Sequence, residues 1–74
     1  MKGDTRKLKK LLVKNIKKYR AKKKLTQEEA TEKADITAKY WQRLEMASQT
    51  DLPSLVALGK IAAALKVKLH QLLQ

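Results

Sequence analysis

Cysteine is absent from the sequence, so neither a disulfide nor a thiolate metal site can stabilise the fold. The 74 residues suffice for one domain with a modest core, which helix packing alone must hold together. His70 is the only histidine and stands in no cluster of metal ligands, so we expect no metal and no cofactor. A chain without cysteine is compatible with a reducing cytoplasm, where we expect this protein to act.

Long apolar stretches are also absent. No run approaches the ~18 residues that a membrane-spanning helix needs, and the basic N-terminal segment contains no signal-peptide core. The sequence offers no glycine-rich phosphate loop and no group of Asp, Glu and His placed for catalysis. We therefore predict neither a membrane-spanning protein nor an enzyme.

Acidic residues are scarce in the first third of the chain. Residues 1–24 contain twelve Lys and Arg but a single acid, Asp4, whereas residues 25–74 contain six of each sign. The whole formal charge of +11 therefore lies on the first segment. This asymmetry predicts a polyanionic partner, most simply double-stranded DNA. A merely solvated lysine face and a basic helix on a membrane surface are the alternative interpretations.

Two short helices joined by a tight corner are predicted within residues 26–45. Thr26 is a good N-cap for the first, and Glu29 three residues later completes a capping box. Asp35 tolerates the left-handed backbone that a corner requires, and Thr37 can cap the second helix.

The second of these helices has two unlike faces. At about 100° per residue, one side carries Tyr40, Trp41 and Leu44, which can anchor the helix. The other side carries amide, guanidinium, ammonium and methyl groups: Ala38, Lys39, Gln42, Arg43 and Met46. Such groups read base edges in the major groove of DNA.

Apolar spacing predicts the remaining helices. A first helix should run from about Thr5 or Leu8 to Lys23. Its buried stripe should comprise Leu8, Leu11, Leu12, Ile16 and Tyr19. A later helix should begin after an N-cap at Ser54, with a buried stripe of Leu55, Leu58, Ile61, Ala62 and Leu65. Gly59 within it predicts a close helix contact, and a short final helix should follow.

The pattern resembles the helix-turn-helix of the phage-repressor class, the lambda CI/Cro-like or XRE type. The similar segments, in family order, are residues 15–20, 25–29, 26–45, 53–55 and 60–67. The resemblance implies an all-α, five-helix lambda-repressor-like domain with helices 2 and 3 as the helix-turn-helix. Residues 1–7 are predicted to be a basic, flexible leader, and residues 8–74 the single domain.

The resemblance implies a sequence-specific DNA-binding transcription regulator, with a recognition helix at about 37–46 in the major groove. Predicted base contacts are Thr37, Ala38, Lys39, Gln42 and Arg43. Predicted phosphate contacts are Thr26, Gln27, Tyr40, Ser48, Lys17 and Lys18. In the family, residues matching Arg20 and Glu45 form an ion pair that ties the first helix to the third. An exposed pair of little energetic value is the alternative.

One such domain reads only a few base pairs, so we expect a homodimer on an inverted repeat with half-sites ~34 Å apart. The leucines of the final helix are a candidate interface. Small relatives also act as antitoxins, so a protein-interaction module that neutralises a toxin and autoregulates is the alternative function. A repressor is the expected regulator, although the sequence does not distinguish it from an activator.

Some positions depart from the family pattern. Ala30 replaces a large aliphatic residue and Trp41 replaces Ile or Val, so we predict that the indole fills the space beside Ala30. Stacking of Trp41 on a base is the alternative. Relatives often have glycine at four helix exits that are occupied here by Lys24, Asp35, Ala47 and Lys66. Left-handed backbone at each would cost about 1–2 kcal/mol.

Overall fold

Four α-helices and one 3-10 helix form the part of the chain that the computed structural model describes, residues 2–46, 48 and 51–74. The order is α1 (Lys2–Lys22), α2 (Gln27–Ala34), α3 (Ala38–Leu44), α4 (Leu55–Leu65) and the 3-10 helix Leu69–Leu73. These residues contain no strand, which confirms the predicted all-α class. The predicted short final helix is present as a 3-10 helix and not as an α-helix.

Helix α1 is longer at its N-terminus than the sequence indicated. It begins at Lys2, ahead of the expected start at Thr5 or Leu8. Residues 2–7, assigned to a leader, therefore have helical backbone, while their flexibility in solution stays a prediction. No helix of the described residues is both long and apolar enough to cross a lipid bilayer.

All three predicted N-caps are confirmed. The Thr26 hydroxyl accepts the backbone N–H of Glu29 at 3.1 Å, and the Thr26 N–H donates to the Glu29 carboxylate at 2.9 Å. These two bonds complete the predicted capping box. Thr37 and Ser54 each accept the backbone N–H three residues later, at 3.1 Å, and so fix the starts of α3 and α4.

Three helix exits adopt left-handed backbone without glycine. Lys24, Asp35 and Lys66 each have a φ of 56°. The backbone N–H groups of Asp35 and Lys66 bond to carbonyls in the last turns of α2 and α4, which ends those helices. Each left-handed residue costs about 1–2 kcal/mol. Ala47, the fourth such position, lies outside the described residues.

The core draws side chains from every helix. Its fully or nearly buried members are Leu12, Ile16, Ala30, Ala34, Trp41, Leu44, Ile61, Ala62, Ala64, Leu65 and Leu72. Trp41 is 0% exposed and shares this cluster with Ala30, as the predicted volume compensation requires. The indole faces inward, so the alternative of base stacking by Trp41 is wrong.

Two predicted stripes differ from the observed core. Leu8 is exposed, and the buried residues beside Leu12 on α1 include Lys9 and Asn15. Asn15 Nδ2 donates to the backbone carbonyls of Leu72 at 2.8 Å and Gln74 at 3.0 Å. This face of α1 lies against backbone carbonyl groups near the C-terminus. It therefore needs hydrogen-bond donors as well as apolar side chains.

The first turn of α4 also differs from its predicted role. Leu55 is 72% exposed, whereas Ala57 in the same turn is buried and Leu58 packs against the core, so this turn contributes other residues than Leu55 to the core. The close helix contact predicted at Gly59 is also wrong. A Cβ placed on Gly59 would meet no heavy atom of the described residues within 4 Å.

Candidate nucleic-acid interface

Helix α3 is attached to the domain by one side and exposes the other. Trp41 and Leu44 are buried in the core. The five predicted base-contact residues are all exposed, on α3 or at its N-cap: Thr37, Ala38, Lys39, Gln42 and Arg43. The amide of Gln42, the guanidinium of Arg43 and the ammonium of Lys39 are therefore accessible to the groove of a DNA duplex.

The end of α3 is tied to α1 by a bidentate ion pair. Arg20 Nε donates to Glu45 Oε2 at 2.8 Å, and Arg20 Nη2 donates to Glu45 Oε1 at 3.1 Å. The side chains are 22% and 2% exposed, respectively, so the alternative of a solvent-exposed pair does not describe this contact. A planar fork of this kind fixes orientation as well as distance.

Glu45 is the centre of a larger network. Its carboxylate also accepts the indole N–H of Trp41 and the amide of Gln27, the latter at 3.0 Å. Burial alone would raise the pKa of Glu45, but the hydrogen bonds from Arg20, Trp41 and Gln27 outweigh it and lower that pKa. The carboxylate is therefore ionised at neutral pH and holds α1, α2 and α3 together.

Sequence reasoning identified one of these three donors to Glu45. The signal for Trp41 was its position four residues before Glu45, which places both on one face of α3. Gln27 was predicted to contact a phosphate, but its amide nitrogen is engaged with the carboxylate. A phosphate contact by that nitrogen would require the Gln27 side chain to rotate.

The remaining predicted phosphate contacts near α3 are accessible. Thr26, Tyr40 and Ser48 are all exposed. The Thr26 hydroxyl already accepts a backbone N–H, but its own hydrogen can still be donated. These groups are the hydroxyl donors that commonly fix the register of a protein on a duplex.

The two predicted phosphate-binding lysines of α1 lie on different sides of that helix. Lys9 and Arg20 both bond to the C-terminal end of α3 and so mark the side of α1 that faces it. At about 100° per residue, Lys17 lies about 60–80° from this side and Lys18 about 160–180° from it. The ammonium of Lys18 lies 5.3 Å from the ring centroid of Tyr19. By its position on the helix, Lys17 therefore lies nearer than Lys18 to the side of α1 that faces α3.

Arg43 has an intramolecular partner that the sequence did not suggest. Its Nε donates to Asp51 Oδ2 at 3.1 Å, and both side chains are more than half exposed. The hydrogen bond from Arg43 lowers the pKa of Asp51, so this carboxylate is ionised at neutral pH.

A buried lysine bonds the backbone of both members of this pair. Lys9 is 1% exposed, and its Nζ donates to the backbone carbonyls of Asp51 at 3.0 Å and Arg43 at 3.5 Å. Desolvation lowers the pKa of Lys9, and attraction to Asp51 opposes this effect. Lys9 stands three residues before Leu12 and seven before Ile16, a spacing that places it on the buried face of α1.

Comparison with known proteins gives one family match. A family model described as helix-turn-helix (HTH_3, the XRE type) matches residues 16–72, which are 57 of the 74 residues. The match covers α2, α3 and α4 whole and begins within α1, after most of its basic N-terminal half. Neither the comparison with curated proteins nor the comparison with solved structures gave a match.

Proposed function

The chain belongs to the XRE-type helix-turn-helix family of DNA-binding transcription regulators, and on this premise we propose that α2 and α3 form its helix-turn-helix. Helix α3 enters the major groove and reads a specific sequence. The observation that carries this proposal is the polarity of α3, in which Trp41 and Leu44 are buried while Gln42 and Arg43 are exposed. The inward side fixes the helix, and the outward side is left for DNA.

The exposed groups suit particular bases. Arg43 presents two parallel donors that match the N7 and O6 acceptors of guanine, and Gln42 can bond adenine through both its amide atoms. Ala38 fits the methyl group of thymine, while Lys39 and Thr37 can each bond a further base edge. We assign sequence discrimination chiefly to Arg43, because a good bidentate contact contributes about 1–3 kcal/mol.

Phosphate contacts supply the rest of the affinity. Thr26, Tyr40 and Ser48 supply exposed hydroxyl groups, and Lys17 supplies an exposed ammonium from α1. The +11 charge of residues 1–24 adds attraction that does not depend on sequence. The ion pair between Arg20 and Glu45 holds α3 at a fixed angle, so that these contacts are made together.

The protein acts as a homodimer on an inverted repeat, with half-sites ~34 Å apart. The described residues offer an apolar surface for a second copy at the start of α4, where Leu55 and Val56 are 72% and 71% exposed. Residues 52–59 contain no charged side chain in a chain of which 34% is charged. Two copies carrying +11 each repel one another, which favours contact through this uncharged segment.

The final helix is the other candidate interface, on which Leu73 is 43% exposed. Leu72 is fully buried within its own domain, so it has no surface to offer a partner. Replacing Leu55 and Val56 together by Ser should convert the dimer to a monomer in sedimentation velocity, whereas Leu73→Ser should not. If Leu73→Ser alone dissociates the dimer, the interface lies on the final helix.

Selection from random duplexes at two salt concentrations tests the main proposal. We expect an inverted repeat to be enriched at both concentrations, with weaker binding to every duplex at the higher one. Arg43→Ala should cost ~1–3 kcal/mol on the enriched duplex and relax preference at one base position of each half-site. Equal loss on enriched and random duplexes would show that Arg43 reads no base.

A further inference from the structure

We infer that Asp51 is a specificity-determining residue that orients Arg43 for its base and weakens binding to incorrect sequences. The inference rests on the proposed function, in which Arg43 contacts DNA. It is carried by the ion pair between Arg43 Nε and Asp51 Oδ2 and by the buried Lys9 that holds both backbones.

The geometry of the guanidinium supports this role. An arginine side chain has two donor edges in one plane, of which one includes Nε and the other consists of Nη1 and Nη2. Asp51 bonds Nε, so the edge formed by Nη1 and Nη2 is directed away from the carboxylate. That second edge is the one that can bond guanine N7 and O6 end-on while the first edge stays with Asp51.

The position of the carboxylate is fixed by another element of the fold. Lys9 reaches from α1 and bonds the backbone carbonyls of Arg43 and Asp51, 3.5 Å and 3.0 Å from its Nζ. Because Lys9 is 1% exposed, its link is shielded from solvent and from competing anions. The two members of the surface pair are thus held near each other independently of the pair itself.

The charge of Asp51 supplies the second half of the inference. An ionised carboxylate beside a DNA-reading residue repels phosphates and lowers affinity for every duplex. At the correct sequence this cost is offset, because the held guanidinium loses less rotamer entropy on bonding guanine. At an incorrect sequence the repulsion remains without the gain, and discrimination increases.

The test measures affinities of Asp51→Ala for a labelled duplex enriched by selection, for its variants at one base pair and for a random duplex. The base pair varied is the one at which Arg43→Ala loses preference. Asp51→Ala should lower discrimination there by roughly fivefold or more, out of the about 5- to 150-fold that a bidentate contact provides. Its affinity for the random duplex should rise about two- to fivefold.

Two matched variants separate orientation from charge. Asp51→Asn keeps the shape and one acceptor, so it should retain part of the discrimination while binding random duplex more tightly. Glu32→Ala removes the same charge from an exposed site on α2 and should leave discrimination unchanged. Because Lys9 bonds the backbone of residue 51, Asp51→Ala should remain folded at the temperature of the binding measurements, which circular dichroism checks.

Two results would overturn the inference, and they can be distinguished. If Asp51→Ala raises affinity equally for the enriched duplex and all its variants, Asp51 is only a repulsive charge, although Arg43 still reads a base. If Arg43→Ala changes no base preference, the proposed reading role of Arg43 fails first, and the role of Asp51 fails with it.

Discussion

Arg20 of α1 and Glu45 at the end of α3 are joined by two hydrogen bonds of 2.8 and 3.1 Å. The pair is asymmetric in its exposure, because the carboxylate is almost fully buried while the guanidinium is partly in contact with solvent. A second arginine–carboxylate pair, Arg43 and Asp51, lies on the surface of the same domain. The two pairs therefore allow the effect of burial to be measured within one protein.

Removing the arginine of the buried pair should be strongly destabilising. Arg20→Met leaves the Glu45 carboxylate buried without its charge partner, at an expected cost of ~3–5 kcal/mol in the free energy of unfolding. Arg43→Met, the matched change in the exposed pair, should cost at most about 1 kcal/mol. Urea unfolding followed by far-UV circular dichroism measures both. Equal costs would mean that burial of Glu45 does not set the strength of its pair.

The contribution of Glu45 should depend on pH with a defined sign. Its pKa in the folded protein is lowered, so the unfolded chain takes up a proton first as the pH falls. The resulting stability is complete above the ordinary glutamate pKa of about 4.3 and is lost as pH falls through the lowered folded value. The stability difference between wild type and Glu45→Gln should therefore shrink from pH 6 towards pH 3. A difference that stays constant over this range would show that the carboxylate titrates alike in both states.

The two α1 lysines should differ in their effect on DNA binding. The sequence assigned both Lys17 and Lys18 to phosphates, but their angular positions favour Lys17. Lys17→Ala should reduce the slope of log affinity against log salt by roughly one unit on any duplex. Lys18→Ala changes net charge equally and serves as the control, with an expected slope close to wild type. Identical slopes for the two variants would contradict the assignment of a phosphate contact to Lys17 and not to Lys18.

A glycine in α4 should limit stability without serving packing. Gly59 is exposed within the helix, and an added Cβ would meet no atom of the described residues within 4 Å. Gly59→Ala should therefore raise the free energy of unfolding by about 0.5–1 kcal/mol, since glycine loses more backbone entropy on folding. Ala63→Gly, at another exposed position of α4, is the reverse control and should lower it by a similar amount. Because Gly59 lies in the segment proposed to contact a second copy, both changes are made in a chain that already carries Leu55→Ser and Val56→Ser. A stability loss on Gly59→Ala in that background would contradict the prediction.

The capping preferences of single residues were sufficient to predict where α2, α3 and α4 begin and where α2 ends. Thr26, Thr37 and Ser54 each act as the N-cap that their side chains favour, and Asp35 takes up the predicted left-handed backbone. Such features depend on hydrogen bonds between residues at most four positions apart. The inward orientation of Trp41 also followed from periodicity, because the short helix has a single apolar side.

Contacts between distant segments were not predictable in the same way. The burial of Lys9 was not predicted, since a buried ammonium is rare and its carbonyl partners lie 34 and 42 positions away. The periodicity of α4 predicts Leu55 in the core, but Leu55 is exposed while Ala57 of the same turn is buried. Periodicity identifies a face of a helix and does not identify how much of its length is covered.

The sole tryptophan gives the chain a built-in optical reporter. Trp41 belongs to α3 itself, its ring is buried, and its N–H bonds the same carboxylate that anchors the helix. Blue-shifted tryptophan fluorescence that resists aqueous quenchers therefore indicates that α3 is packed against the core. A red shift indicates that α3 has separated from it. Because the indole faces away from solvent, its fluorescence reports whether α3 is packed against the core, and no dye is needed on the surface offered to DNA.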